Sequence, residues 1–162
     1  KTLRALCEEI GLPSYVKTSG STGLHVLVPL GAQLTYEQSR MIGHLLARVV
    51  CAELPEISTV ARVIREREGK IYIDYLQNAH GQLLVAPFCV RPVPEAAVSM
   101  PLRWSEVNSK LDIRKHTIGT ALKRMERLKG GDPFLGVLVD KPSFAEALEW
   151  LGNRVSRLGT AP

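Results

Sequence analysis

The turn Ser19-Gly20-Ser21-Thr22-Gly23 is the first segment of this 162-residue chain with side chains suited to chemistry. Its glycines allow backbone N–H groups to point inward, and its hydroxyls add hydrogen-bond donors, a composition typical of a phosphate cradle. It lacks the GxxxxGK[ST] pattern of a P-loop and the GxGxxG pattern of a dinucleotide site. An ordinary hairpin loop is the alternative interpretation.

His25 follows this turn by two residues. Alternation along a strand places it on the face opposite Leu24 and Val26, where a partly protonated imidazole could contact a phosphate. The alternative is a surface histidine, or one whose hydrogen bonds are satisfied within the fold.

Asp74 interrupts the apolar run from Ile71 to Leu76. Aspartate disfavours strands, so a carboxylate here suggests a function, and we take it as a candidate metal ligand. An exposed strand face or an ion pair with an arginine would also explain it. Nearby basic residues could gather phosphates around a cation bound to this carboxylate: Arg62, Arg65, Arg67, Lys70 and Arg91.

The elements that must position these residues predict an α+β domain with a mainly antiparallel sheet. Residues 15 to 28 read as a hairpin, and residues 71 to 76 and 83 to 90 as further strands of the same sheet. Thr35 and Gln38 form a capping box ahead of a helix over residues 35 to 52. We expect that helix to pack on the sheet with three buried side chains: Met41, Leu45 and Val49.

The two ends of the chain read as helical. The pattern at Lys1 starts without a cap, which suggests the later part of a longer element. A second helix carries apolar residues on one face and Lys129 among its basic residues, and ends at Gly130-Gly131. A final helix is capped by Ser143 and Glu146 and closed by Gly159. The apolar face of the second helix comprises Ile118, Leu122, Met125 and Leu128.

The composition fits an ordinary globular domain, with 45% apolar and 23% charged residues. There is no membrane-length apolar run, and the three cysteines form no CxxC or Cys/His cluster that would indicate zinc. The charge of +5, from 21 Lys+Arg against 16 Asp+Glu, favours an anionic partner such as nucleic acid, although solubility alone accounts for it as well. We expect a protein of the cytoplasm.

Several separated motifs, taken in order, resemble the polymerase domain of bacterial DNA ligase D, a member of the archaeo-eukaryotic primase superfamily. The resemblance spans nearly the whole chain. It rests on Lys17-Thr18-Ser19-Gly20, Gly23-Leu24-His25-Val26, Ile71 to Asn78, Ala86-Pro87-Phe88, Arg91 and Pro101-Leu102-Arg103-Trp104.

The resemblance implies template-dependent and terminal addition of nucleotides, with ribonucleotides preferred, at DNA ends during non-homologous end joining. It implies a nucleoside triphosphate substrate, Mn²⁺ or Mg²⁺ as cofactor, association with the bacterial nucleoid, and DNA, the end-binding protein Ku and a linked ligase domain as partners. It makes Asp74 the catalytic, metal-binding carboxylate. The residues expected to hold the nucleotide are Lys17, Ser19, Gly20, Gly23, His25, Arg67 and Arg91.

The chain departs from the family in two respects. Thr22 stands where relatives often have a basic residue, and the first motif, a pair of aspartates that binds the metals, is not present; Asp112, Asp132 and Asp140 do not replace it. We therefore expect residues 1–162 to be the C-terminal part of one domain, with a sheet-containing part over 1–109 and a helical part over 110–162. This chain is expected to be inactive alone. The alternative is a non-catalytic module that binds nucleotides or DNA ends.

Overall fold

A computed structural model describes residues 1–128 and 131–158. None of the helices within these residues is long and apolar enough to cross a membrane. Short 3₁₀ turns cover Ile64–Glu66, Trp104–Glu106 and Ile113–Lys115. The main elements are α1 (Thr2–Glu9), β1 (Tyr15–Thr18), β2 (Leu24–Leu27), α2 (Tyr36–Glu53), β3 (Ser58–Thr59), β4 (Ile71–Tyr72), β5 (Pro101–Leu102), α3 (Ile118–Arg127), α4 (Gly136–Val139) and α5 (Ala145–Leu158).

The chain divides into two compact units. The helix unit comprises Lys1–Leu12, Ala32–Leu83 and the described residues 142–158, and it contains α1, α2, β3, β4 and α5. The sheet unit comprises Pro13–Gly31 and Leu84–Lys141, with β1, β2, β5, α3 and α4. Both units therefore mix helices and strands, which confirms the α+β class.

The sheet unit is built on a three-stranded antiparallel sheet with β1 at its centre, between β2 and β5. The predicted hairpin is confirmed, and its register places Lys17 opposite His25. Because β1 is the central strand, its last three residues are buried. Apolar side chains around it form the core of this unit: Val16, Ala97, Val98, Met100, Leu102 and Phe134.

An ion pair attaches α3 to this sheet. Arg124 lies 2.6 Å from the Glu106 carboxylate and also donates to the Pro101 carbonyl at 2.9 Å. The guanidinium keeps the pKa of Glu106 below its usual range. The pair is only partly exposed, so it holds α3 against β5 more firmly than a surface pair would.

The helix unit is built around α2, which packs against α5 and α1. The predicted helix over 35 to 52 is confirmed as Tyr36–Glu53, and its capping box forms between Thr35 and Gln38. The shared core of this unit consists of Leu6, Cys7, Ile10, Leu12, Ile42, Leu46, Val49, Val50, Phe144, Ala147, Leu151 and Val155.

The predicted burial of the α2 face is only partly correct. Val49 is 0% exposed, Leu45 is half-buried, and Met41 is 50% exposed. The reason is the helix's partners: α2 packs against α1 and α5, so its buried stripe is set by two helices and by the short strand β3. Met41 lies outside that stripe.

The prediction of one sheet containing residues 71 to 76 and 83 to 90 is wrong. Only Ile71–Tyr72 is a strand, and it pairs in parallel with β3 in a separate two-stranded sheet. Asp74 turns its carboxylate onto the Leu76 amide at 2.9 Å, which bends the chain out of extended geometry. Residues 83 to 90 form no strand beyond an isolated antiparallel bridge between Val90 and Val98, because Pro87 has no N–H and Phe88 adopts a left-handed φ of 64°.

The last third is helical, as predicted, but the apolar face of α3 is not buried. Ile118, Leu122 and Met125 are 60%, 72% and 44% exposed. The final helix spans Ala145–Leu158 and buries Ala147, Leu151 and Val155. Lys129, Gly130 and Gly159, named above as a charged-face residue and as helix ends, lie outside the described residues.

The contrast between Val49 and Met41 gives a stability prediction. Val49→Ala removes two buried methyl groups and should lower the free energy of unfolding by about 2 kcal/mol. Met41→Ala, on the same helix but largely exposed, should change it by less than about 0.5 kcal/mol. Urea unfolding followed by circular dichroism measures both. Equal losses of unfolding free energy in the two variants would contradict the burial of Val49 and the exposure of Met41.

Candidate functional site

The side chain of Lys17 is completely buried in the centre of the sheet unit. Its ammonium contacts His25 Nδ1 at 2.9 Å and donates to the Val85 carbonyl at 2.8 Å and to Ser99 Oγ at 2.7 Å. Burial lowers the pKa of Lys17 to about 8, while Cys89 raises it and Arg91 lowers it further. All three ammonium protons are thus engaged inside the unit.

Ser99 joins this network to the backbone of β1. Its hydroxyl accepts from Lys17 and donates to the Thr18 carbonyl at 2.9 Å. The Thr18 hydroxyl in turn donates to the Val98 carbonyl and accepts from the Met100 amide, both at 2.8 Å. Every one of these polar groups is buried and paired, as a stable core requires.

Gly20 lies directly against this network. Its φ is +68°, and a Cβ built on it would lie 2.6 Å from Arg91 Cγ and 3.1 Å from the Ser99 nitrogen. Neither the backbone conformation nor the available space therefore accepts a side chain. The glycine lets the Ser19 loop approach the Arg91 side chain, whose Nε is buried with no hydrogen-bond partner among the described residues.

The loop that follows Ser19 is closed by the Ser19 side chain itself. Ser19 Oγ accepts from the amides of Ser21 and Gly23, both at 3.1 Å, and the Ser19 amide donates to the Gly23 carbonyl at 2.9 Å. The two amides point at Ser19, so the loop is a serine-closed turn. The Ser19 hydroxyl proton remains one donor that this turn can offer a ligand.

The structure thus brings six of the candidate residues together in the sheet unit: Lys17, Ser19, Gly20, Gly23, His25 and Arg91. Sequence reasoning missed Ser99 and the Val85 carbonyl. Ser99 precedes the short apolar stretch that forms β5 and carries no local signal, since its partners lie 81 and 82 residues earlier. A lysine in the middle of a hairpin strand was the one available clue.

Asp74 and Arg67 lie in the helix unit, joined by Tyr72. The Arg67 guanidinium lies 4.1 Å from the Tyr72 ring centroid and donates to the carbonyls of Ala61 and Arg62. Burial, and then the charge and hydrogen bond of Asp74, raise the pKa of Tyr72. Arg67 is therefore held in place by a ring and two carbonyls.

The turn that carries Asp74 rests on α2. The rings of Tyr75 and His44 stack with centroids 4.5 Å apart, and the Asn78 amide donates to the Tyr75 carbonyl at 2.9 Å. A Cβ at Gly43 would lie 2.9 Å from Asn78 Nδ2, so this glycine allows the turn to approach the helix. Burial, with Arg48 and Arg40 nearby, lowers the pKa of His44.

A divalent cation needs more ligands than these residues supply. The described part of the chain contains no group of three or more His, Cys, Asp or Glu side chains that could hold a metal ion. Asp74 is exposed and presents one carboxylate, with one oxygen engaged by the Leu76 amide. The described residues do not by themselves fit Mn²⁺ or Mg²⁺, since two-metal phosphoryl transfer requires several converging carboxylates.

Comparison with known proteins identifies the class to which this fold and site belong. The family model described as "LigD, primase-polymerase domain" matches residues 1–134. The chain is 37% identical over 133 residues to the bifunctional non-homologous end joining protein LigD of Bacillus subtilis, covering 82% of this chain and 21% of that protein. The chain belongs to the LigD primase-polymerase family.

Two further matches are also a LigD protein and a Ligase D polymerase domain. The multifunctional non-homologous end joining protein LigD of Pseudomonas aeruginosa is 31% identical over 129 residues, covering 80% of this chain and 15% of that protein. The polymerase domain of Mycobacterium tuberculosis Ligase D, solved in complex with DNA, matches with a TM-score of 0.72 and 26% identity over 87% of this chain and 48% of that chain. The chain thus spans about a fifth or less of these curated relatives and about half of the solved domain.

The two glycines of the Ser19 loop give a matched test of its geometry. Gly20→Ala forces an alanine into left-handed φ, which costs about 1–2 kcal/mol, and also displaces Arg91. Gly23 has open space at its Cβ, so Gly23→Ala should change the free energy of unfolding by less than about 0.5 kcal/mol. Urea unfolding of both variants measures this. A tolerated Gly20→Ala would show that the loop is not pressed against Arg91.

Proposed function

We propose that this chain holds the nucleoside triphosphate in a LigD-type nucleotidyltransferase, which adds nucleotides, ribonucleotides by preference, to DNA ends during non-homologous end joining. The observation that carries the proposal is the buried network of Lys17 and Ser99. It lies between His25 and the Ser19 loop, and Arg91 covers Gly20 in the same unit. The side chains held around this network, those of Ser19, His25 and Arg91, carry N–H and O–H donors suited to phosphate oxygens.

Three side chains of the sheet unit are assigned to the triphosphate. The Ser19 hydroxyl and the His25 ring donate hydrogen bonds, and the Arg91 guanidinium supplies a charge and further N–H donors. Gly20 is required for their approach, whereas Gly23 serves through its amide, which closes the loop on Ser19. The neutral Thr22 leaves Arg91 as the main cation of this loop.

Lys17 and Arg67 have different roles from that of a mobile phosphate-binding cation. Lys17 is buried and donates all its protons internally, so it supports the site from beneath. Arg67 is stacked on Tyr72 and bound to two carbonyls, which holds its charge in place beside the ring that bonds Asp74. We propose that the positive charge of Arg67, held in this position, attracts the phosphates of the nucleotide.

Asp74 is assigned as one ligand of a divalent cation, Mn²⁺ or Mg²⁺, and the part of the chain that the structure describes offers no cluster to complete its coordination. A cation held there would supply positive charge that stabilises negative charge on the transferring phosphate. The exposed carboxylate and its fixed turn are what this chain contributes. For this reason the 162-residue chain should bind nucleotide but catalyse no addition.

The remaining expectations come from the family. The solved relative is a polymerase domain in complex with DNA, and the curated relatives are bifunctional or multifunctional end-joining proteins. We propose DNA ends as the second substrate, with Ku and a linked ligase domain as partners of the whole protein at the bacterial nucleoid in the cytoplasm. The net charge of +5 is favourable for a polyanion.

A non-catalytic module that binds nucleotides or DNA ends is the second candidate. The observation in its favour is the single carboxylate at Asp74, with no metal-binding cluster in the described part of the chain. Both candidates predict nucleotide binding, and only the polymerase predicts turnover once the other carboxylates are supplied. The two experiments below separate binding from turnover.

The first experiment measures binding of ATP and dATP to the 162-residue chain by calorimetry. Arg91→Ala should weaken ATP binding roughly tenfold to a hundredfold, because a hydrogen bond to a charged group contributes about 1.5–3 kcal/mol. His25→Ala should weaken it by up to roughly tenfold. ATP should bind more tightly than dATP, and rising salt should weaken both.

Lys123→Ala is the matched control, since it also removes one positive charge but from the exposed surface of α3. It should leave ATP affinity within about twofold, the range of a screened, distant charge. An equal loss in Lys123→Ala and Arg91→Ala would mean that only net charge matters and would contradict the assigned site. Equal affinities for ATP and dATP would contradict the ribonucleotide preference.

The second experiment measures primer extension with Mn²⁺ or Mg²⁺. The 162-residue chain should give no product. When it is joined to in-frame sequence that supplies the first-motif aspartates, extension should appear, and Asp74→Asn should abolish it. This substitution keeps an oxygen to accept from the Leu76 amide, removes the negative charge and replaces the second carboxylate oxygen with an NH₂ group.

Asp112→Asn provides the control, because Asp112 makes the same type of turn, accepting from the Arg114 amide two residues on at 3.1 Å. It should leave extension unchanged. Robust extension by the 162-residue chain would show that the metal ligands are misassigned. A joined protein that binds ATP and extends nothing would favour the binding module.

A further inference from the structure

Lys17 has an environment that differs from that of a phosphate-binding lysine. Its side chain is 0% exposed, and no ion pair among the described residues includes it. Lysines are almost never fully buried unless paired. Here the partners are a ring nitrogen, a carbonyl and a hydroxyl, and each lies within 2.9 Å of Nζ.

The chemistry of the ammonium determines the direction of its contact with His25. A protonated lysine has three N–H donors and no lone pair, so it can only donate. The contact at 2.9 Å therefore requires His25 Nδ1 to accept, and a neutral ring must then carry its proton on Nε2. The partner of one ring nitrogen sets the tautomer of the other.

We propose that Lys17 is a positioning residue that holds His25 in the tautomer with its proton on Nε2, so that the ring donates from that nitrogen to a phosphate oxygen. The final step rests on the proposed function, and the tautomer itself does not. The cross-strand register supports the assignment, because Lys17 and His25 are directly opposite on β1 and β2.

The ammonium cannot turn toward another acceptor without leaving a buried group unpaired. Ser99 Oγ accepts from it and is itself fixed by its bond to the Thr18 carbonyl, and the Val85 carbonyl holds the third proton. An unpaired buried polar group is costly. A direct contact between Lys17 and a phosphate would require one of these bonds to break.

The test observes the His25 ring by long-range ¹H–¹⁵N NMR of the ¹⁵N-labelled 162-residue chain at pH 7 without nucleotide. Signals are assigned by their loss in His25→Gln. We expect the Nε2–H tautomer in the native chain. Lys17→Met, which keeps the aliphatic stem and removes the ammonium, should give a substantial Nδ1–H fraction, whereas Lys110→Met, on an exposed loop, should leave the spectrum unchanged.

A pH titration of the native chain gives the same information without a substitution, should Lys17→Met not fold. The pKa of Lys17 is about 8, and the neutral amine above it has a lone pair that can accept from Nδ1–H. The Nδ1–H tautomer should therefore appear as the pH rises past about 8. Besides His25, the ionisable groups that act on Lys17 are Cys89 and Arg91, and Cys89→Ser in parallel removes the thiol's contribution.

Two results would overturn the proposal: a native ring at pH 7 that is protonated on Nδ1, or a native titration in which the tautomer does not respond to pH. An unchanged tautomer in folded Lys17→Met would do the same. ATP affinity, measured separately, decides the proposed function. If the tautomer responds while Lys17→Met and His25→Ala bind ATP as the native chain does, then Lys17 positions His25 and the assignment of His25 to phosphate is wrong.

Discussion

A buried positive charge is the constraint on which the sheet unit depends. Removing an ammonium from water is costly, and the cost is offset only where acceptors are already in position. The acceptors for Lys17 come from the neighbouring strand β2 and from Val85 and Ser99, which lie 68 and 82 residues away, so a single charge joins three segments of the chain. Because burial lowers its pKa only to about 8, the side chain remains mostly protonated at neutral pH and keeps this requirement.

The geometry of the Ser19 loop follows from that constraint. The same Ser99 that receives the ammonium is bonded to the Thr18 carbonyl, and its backbone nitrogen lies 3.1 Å from the position of a Gly20 Cβ. The loop therefore begins at a fixed point and passes too close to Ser99 and Arg91 for any side chain at Gly20. Glycine is required at position 20 because a Cβ there would collide with Arg91 and Ser99, and because the backbone adopts a left-handed φ.

The sequence predicted those elements whose causes are local. The α2 helix follows from a capping box and a 3.6-residue period, and the hairpin follows from a polar turn between two short apolar strands. The motifs around Ser19 and Asp74 were sufficient to indicate the family. The strand proposed for residues 71 to 76 is confined to Ile71–Tyr72, and the one proposed for 83 to 90 does not form, because a carboxylate turn at Asp74 and a left-handed Phe88 override apolar composition. The burial of Lys17 could not be predicted, since its acceptors at Val85 and Ser99 lie 68 and 82 residues away.

Composition counts basic residues, but it does not show which of them are available to a ligand and which only support the structure of the site. Lys17, Arg67 and Arg91 are the three basic residues expected at phosphates. The Lys17 ammonium donates all its protons within the fold, and Arg67 is held by the Tyr72 ring and two carbonyls. Arg91 alone combines a close approach to the loop with a buried Nε that has no acceptor among the described residues. With Thr22 neutral, the Ser19 hydroxyl and the His25 ring are the directed donors that we propose for the phosphates beside the Arg91 charge. Hydrogen bonds of this kind are weakened less by salt than a surface field is, because their strength comes from short, fixed geometry.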